Sequence, residues 1–241
     1  MKVIAVIPAR LESTRLPRKM LRQIAGKILL ARVYESVCSS PLLHDVIVAT
    51  DSDEIMQLCS QQGWNARITS GAHRSGTERV REISDSVEAD VYLNVQGDEP
   101  LTRAEHIAAL IDLMKDPHIQ VGTLKTPASV EDISNPNAVK VVTDSAGRAL
   151  YFSRATIPFD RDGSRPCYFK HLGFYAYRKA ALDRFCALPE SSLEISERLE
   201  QLRFLENGIP IQVGETPHDT VGVDTEEDLR RVEAILRRRE T

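Results

Sequence analysis

Residues 8–21 read PARLESTRLPRKML, which sets Arg10, Arg15, Arg18 and Lys19, with the hydroxyls of Ser13 and Thr14, against a single acid, Glu12. Guanidinium forks grip phosphate oxygens in pairs, and an ammonium adds a point charge. The loop has neither the GxxxxGK[ST] spacing of a P-loop nor a GxGxxG dinucleotide fingerprint. It follows directly on the apolar run VIAVI, a buried strand by pattern. Taken alone, it fits a loop that holds a small anion and a basic solvated loop equally well.

Two further polar clusters fall at comparable places, HRSGTER at residues 73–79 and NVQGDEP at residues 94–100. In the second, Gly97 permits close approach of backbone to a ligand, and Asp98 stands at a strand end, where a hard magnesium ion takes one or two carboxylates. A second such carboxylate is Asp224 in GVDTEED. Taken singly, Asp98 fits a turn acid and Asp224 the N-cap of the last helix equally well. No Ser-His-Asp or Cys-His constellation accompanies them, so a covalent nucleophile is not part of the expectation.

The rest of the chain must position these clusters. Its 241 residues, 42% hydrophobic and 27% charged, are ordinary for a globular protein. The 31 basic residues against 35 acidic ones give a net charge of −4, which argues against general affinity for nucleic acid or membrane. The opening MKVIAVIPAR reads as neither signal peptide nor span. Cys38, Cys59, Cys167 and Cys186 form no CxxC pair, as expected of structural thiols in a reduced, cytoplasmic protein. His44, His106, His118 and His218 show no ligand spacing, Trp64 reads as edge packing, and His73 and Arg74 as loop polarity.

Pattern predicts strands at residues 3–7, 46–50 and 91–95, with helices at 26–38, from Asp53 to a stop at Gly63, at 76–87 and at 103–114. Strand and helix alternating on short links indicate a largely parallel α/β sheet, whose ligands sit beyond the carboxyl ends of the strands. VGTLKTP, AVKVVTD, ALYFSRA and HLGFYAYR read as antiparallel additions. A helix over 193–207, stopped by Gly208, precedes a last strand PIQVGE and a last helix TEEDLRRVEAILRRR. In the 193–207 helix, Ile195, Leu199 and Leu202 form an apolar stripe opposite Glu197, Glu200 and Gln201. His171 and Tyr175, four apart in a strand, share a face. We expect one domain over 1–241, with about 125–220 forming a smaller antiparallel lobe.

PARLESTRLPRKML, HRSGTER, NVQGDEP, NPNAVKVV, ALYFSRATIPFDRD, KHLGFYAYR, LEQLRFLENG and GVDTEEDL together resemble the 3-deoxy-manno-octulosonate (Kdo) cytidylyltransferases, within the wider sugar nucleotidyltransferases. The resemblance runs through nearly the whole chain in one order. It implies a Rossmann-like three-layer fold with a mixed, largely parallel sheet, and a cytoplasmic, magnesium-dependent homodimer. The implied reaction joins CTP and Kdo into CMP-Kdo and pyrophosphate for lipopolysaccharide synthesis. By the resemblance, Arg10, Ser13, Arg15 and Lys19 hold the triphosphate, and Ser75 and Arg79 line the nucleotide side. Gln96 lies between base and sugar, and Asp98 with Asp224 holds magnesium; Lys19, Asp98 and Asp224 are the catalytic set. Arg154, His171, Tyr175, Glu200 and Gln201 form the sugar pocket.

One departure stands out, because the family usually has glycine where this chain has Arg18 and proline where it has Met20. Three rival activities follow from the same residues: transfer to the 8-amino analogue of Kdo or to sialic acid, non-catalytic nucleotide-sugar binding, and glycosyl transfer. A pure binder need not keep both Asp98 and Asp224, and a glycosyltransferase has no need of the cationic loop.

Overall fold

The computed structural model describes residues 1–13 and 15–239, so Thr14 lies outside the described residues. The chain divides into two compact units, one of residues 1–108 with 220–241 and one of residues 109–219. The expected α/β Rossmann-like class is the observed one, with parallel and antiparallel pairings mixed.

The first unit contains β1 (Val3–Ala9), β2 (Gln23–Ile24), β3 (Lys27–Ile28), α1 (Leu29–Cys38), β4 (Asp45–Thr50), α2 (Asp53–Gln62), β5 (Ala66–Ile68), α3 (Gly76–Ser86) and β6 (Val91–Asn94). The helix α4 (Ala104–Leu113) carries the boundary between the units. β6, β1, β4 and β5 lie side by side in that order, all parallel, with Ile4 opposite both Asp45 and Tyr92. Every residue of β1 and β6 is buried, which is why both read as unbroken apolar runs rather than alternating ones. From β1 the chain winds outward through β4 to β5, then returns to place β6 on the other side of β1. That reversal opens a crevice beyond the carboxyl ends of β1 and β6, and the loops leaving those ends are PARLESTRLPRK and QGDEP.

The predicted helix at 26–38 starts later than its pattern, at Leu29. Residues 23–28 instead fold into the β2–β3 hairpin, with Ala25 and Gly26 at positive φ. The second helix matches at both ends, with Ser52 capping it and Gly63 closing it at φ 70°. Tyr34 stacks on Trp64 at 4.5 Å between ring centroids, the edge packing expected of that tryptophan.

The second unit contains β7 (Val121–Pro127), α5 (Val130–Ser134), β8 (Lys140–Thr143), β9 (Ala149–Ser153), β10 (Phe169–Tyr177), α6 (Lys179–Ala187), α7 (Ser192–Glu197), α8 (Leu202–Glu206) and β11 (Gln212–Glu215). β10 runs antiparallel to β7 and β8, β8 antiparallel to β9, and β11 parallel to β7. The continuous helix expected over 193–207 is not formed. α7 ends at Glu197, Arg198 turns left-handed at φ 56°, and α8 starts only at Leu202, so the apolar stripe is broken and Ile195 is 54% exposed. The last helix, α9 (Glu226–Arg239), returns to the first unit. All four cysteines are free thiols. Among the described residues no helix is long and apolar enough to cross a membrane.

Gly97 needs its missing side chain for a reason other than ligand approach. A Cβ there would stand 2.9 Å from the Pro8 carbonyl oxygen and 3.1 Å from the Met20 sulfur. The glycine therefore lets the loop after β6 pass against the end of β1, which sets where Asp98 emerges. Gly97→Ala should destabilise the fold by about 1–3 kcal/mol through this overpacking against backbone, seen as a lower urea midpoint. An unchanged midpoint contradicts the account.

Candidate functional site

The crevice is a cleft of about 370 Å³ within the first unit, lined by Arg10, Ser13, Arg15, Lys19, Arg74, Ser75, Gly76, Arg79, Gln96, Asp98 and Asp224 among others. All nine residues assigned to the nucleotide and the metal by resemblance line this one cavity.

At its centre Lys19, only 7% exposed, donates to Asp98 Oδ2 at 2.5 Å and to Asp224 Oδ1 at 2.9 Å. Burial alone lowers the pKa of Lys19, but Asp98 and then Asp224 outweigh it and hold the group above the ordinary lysine value. Arg15 reaches the other oxygen of Asp224 at 3.0 Å. The choice left open for Asp224 is decided by its neighbours. Thr225 Oγ1 accepts from the Asp228 amide at 3.2 Å, while Asp228 Oδ2 accepts from the Thr225 amide at 2.9 Å. That reciprocal pair caps α9 and leaves the Asp224 carboxylate to the cleft. The Val223 amide donates to the Asp98 carbonyl at 2.9 Å, tying the two carboxylate-bearing segments together.

The two carboxylates already share one cation, and both are partly open, with side-chain exposures of 25% and 44%. Hard oxygens in that arrangement suit magnesium, which completes its octahedron with phosphate and water. Among the described residues no group of three or more His, Cys, Asp or Glu forms a metal cage. The described residues therefore offer this pair and no closed site.

At the other side of the cleft, Ser75 caps α3 and accepts from the Glu78 amide. Arg79 is fully buried, donating to Thr69 Oγ1 at 2.6 Å and paired with Asp51. Arg10 donates to the His73 carbonyl, and the His73 ring pairs with Glu82. Burial and the nearby Arg79 guanidinium push the pKa of Arg10 down, against Asp51 and Glu78. Two guanidinium groups held this close favour an anion between them. Gln96 donates to Asn94 Oδ1 at 3.4 Å, and Asn94 itself is fully buried. A Cβ at Gly76 would lie 3.2 Å from the side-chain nitrogens of both, so Gly76 leaves the amide pair its room.

Arg18 does not join the cleft. Its backbone is left-handed at φ 56° and ψ 33°, the conformation that favours glycine, and its guanidinium pairs with Glu54 on α2.

The residues assigned to the sugar lie in the second unit, apart from Gln96. β10 bulges between Leu172 and Tyr175, so Tyr175 faces Thr123 rather than Val121. His171 and Tyr175 share a face as expected, and the bulge draws their ring centroids to 5.4 Å. Thr123 Oγ1 donates to the Phe174 carbonyl at 2.7 Å, so it must accept from His171 Nε2 at 3.0 Å. Burial drives His171 down to about 3, which keeps the ring neutral with its proton on Nε2. Burial likewise pushes the Tyr175 phenol well above its ordinary value, with Tyr177 and Glu200 adding to it.

Arg154 donates from Nε to the Glu197 carbonyl at 2.7 Å, from Nη1 to Pro136 at 3.0 Å and from Nη2 to Arg198 at 3.4 Å. Three of its five N–H groups are thus committed to backbone. Gln201 is 4% exposed, and its Nε2 is buried with no hydrogen-bond partner among the described residues.

Sequence reading missed Thr123, which fixes the His171 proton, and Lys140. The buried Lys140 ammonium collects the carbonyls of Asn135, Ala138 and Arg154 at 2.7, 2.5 and 2.8 Å. A lysine inside the apolar run AVKVV was the available signal, since a buried charge demands partners.

The cytidylyltransferase family model matches residues 4–213. A 3-deoxy-manno-octulosonate cytidylyltransferase from Koribacter versatilis is 68% identical over 99% of this chain and 91% of its own length. Another, from Acidobacterium capsulatum, is 56% identical over 98% and 97%. Among solved structures, a CMP:2-keto-3-deoxy-manno-octonic acid synthetase complexed with CTP superimposes with a TM-score of 0.95 at 41% identity, covering 99% of this chain and 100% of that one. With its cationic loop, paired carboxylates and ordered motifs in one frame, the chain belongs to the cytidylyltransferase family, among the 3-deoxy-manno-octulosonate cytidylyltransferases.

Proposed function

We propose that this chain transfers CMP from CTP to the anomeric hydroxyl of Kdo, giving CMP-Kdo and pyrophosphate. The observation that carries this reading is the meeting of Lys19 and Arg15 with Asp98 and Asp224 in one cleft. The sugar oxygen forms a bond to the α-phosphorus as the bond to the β-phosphate oxygen breaks and pyrophosphate departs, and the hydroxyl proton passes to water. Such a transfer needs alignment and charge neutralisation rather than a protein nucleophile.

In this reading Arg10, Ser13, Arg15 and Lys19 take the triphosphate oxygens, with Ser75, Arg79 and Gln96 on the nucleoside side. Asp98 and Asp224 hold magnesium, which when bound offsets charge gathering on the phosphate oxygens. Lys19 keeps those carboxylates together and stays charged through the neutral range, ready to meet a departing pyrophosphate. In the second unit, Arg154, His171, Tyr175, Glu200 and Gln201 receive the sugar. Gln201 supports this most directly, because a buried donor with no acceptor is costly until a ligand oxygen meets it.

We further propose that the enzyme works in the cytoplasm for lipopolysaccharide synthesis, as a homodimer. Val130, Leu150 and Phe159 of the second unit are 89%, 62% and 85% exposed, and a second copy would cover such apolar surface. Light scattering should give twice the chain's 27.0 kDa, and a monomer mass contradicts the dimer.

Asp98→Asn should keep the fold but lower kcat about a hundredfold or more in steady-state kinetics with magnesium; normal turnover removes Asp98 from the mechanism. Arg15→Ala should raise the CTP KM about tenfold by loss of a charged phosphate contact, with the Kdo KM unmoved. Arg18→Gly should leave the CTP KM within about twofold, because Arg18 faces Glu54 rather than the cleft. The reverse ranking of Arg15 and Arg18 contradicts this division of the loop.

A further inference from the structure

The second unit places Gln201 by means of an interrupted helix, and the interruption has its own fastening. α7 stops at Glu197 and Arg198 turns left-handed, a conformation that disfavours a residue with a side chain unless its surroundings enforce it. Glu197 does the enforcing. Its Oε1 accepts from Ser153 Oγ at 2.6 Å and Tyr151 Oη at 3.4 Å, and its Oε2 accepts from the Arg154 amide at 2.9 Å. Its carbonyl takes Arg154 Nε at 2.7 Å, and the next carbonyl, that of Arg198, takes Arg154 Nη2.

Glu197 and Arg154 therefore grip each other twice, side chain to backbone in both directions. The grip fixes the guanidinium of Arg154 and the course of the chain from Arg198 to Gln201. Without the left-handed turn, the helix would continue and carry Gln201 about 100° per residue around a single axis, away from its buried position. The helical wheel places Glu197 on the same face as Glu200 and Gln201; the folded chain gives it a different task.

We propose that Glu197 is a positioning residue for the acidic sugar, acting through Arg154 and Gln201 rather than by touching the substrate. This rests on the assignment of those two residues to the sugar. It also accounts for the division of the Arg154 guanidinium: three N–H groups hold the scaffold, and two are left to meet a ligand carboxylate.

The test is steady-state kinetics of the full-length Glu197→Gln variant with CTP and Kdo. The amide keeps the size but turns an N–H toward the Arg154 amide or the Ser153 hydroxyl, so one side of the grip fails. The Kdo KM should rise about tenfold, the loss of one charge-assisted hydrogen bond's worth of alignment, while the CTP KM stays within about twofold. Ser153→Ala, which removes a single donor to Glu197, should raise the Kdo KM about threefold in the same direction and provides the reading if Glu197→Gln does not fold. An unchanged Kdo KM in the folded variants, or a parallel rise for CTP and Kdo, overturns the positioning role. Wild-type protein without turnover on Kdo would instead overturn the assigned function, so the two failures are distinguishable.

Discussion

Everything in the nucleotide cleft depends on one buried ammonium held between two carboxylates. Asp98 and Asp224 leave the chain far apart in sequence, and Lys19 is far from both, yet the three meet within 3 Å. Two carboxylates facing one cavity repel each other, and a lysine removed from water is costly alone; together each removes the other's penalty. The partly open faces of the two acids keep the cluster from becoming a closed structural ion pair. The arrangement is thus a charge pattern organised in advance, and in the proposed reading it receives the triphosphate with its cation.

Backbone geometry delivers that cluster. The sheet of the first unit reverses its winding at β1, so the loops leaving β1 and β6 open at the same crevice. Gly97 allows the second loop to press against the Pro8 carbonyl, and the Thr225–Asp228 cap frees Asp224 from helix duty. The second unit uses a different device to place the residues assigned to the sugar. There the regular elements are interrupted on purpose, by a bulge in β10 that brings Tyr175 beside His171 and by the left-handed Arg198 that sets Gln201. Irregular backbone of this kind aims side chains where uninterrupted strands and helices would not.

Much of this was legible in the sequence, and the reasons are physical. Buried parallel strands announce themselves as apolar runs, and caps such as Ser52 and Gly63 mark helix ends, so β1, β4, β6 and α2 were found near their true limits. Lys19 was found in the cationic loop after β1 and Asp98 just past β6, but Asp224 stands at no strand end, in irregular chain nine residues after β11, and only coordinates could say whether it capped α9. The helix break was hidden because residues 193–207 carry good helix formers throughout. What stops the helix is the tertiary grip of Glu197 on Ser153 and Arg154, more than forty residues away. Gly97 was read as room for a ligand, whereas its neighbours are Pro8 and Met20; a sequence shows that a glycine is present, not what it avoids. Arg18, the departure from the family's glycine, keeps the left-handed turn and spends its charge on Glu54.

The central claim is that the Arg10–Lys19 loop and the two aspartates together activate CTP toward an acidic sugar. Pyrophosphate release by the purified protein tests it most directly, measured with magnesium and each of CTP, ATP, GTP and UTP, with and without Kdo. The account predicts release that requires CTP and Kdo together and stays at background when either is withheld. Release from CTP without Kdo, or none with both present although CTP binds, would contradict it.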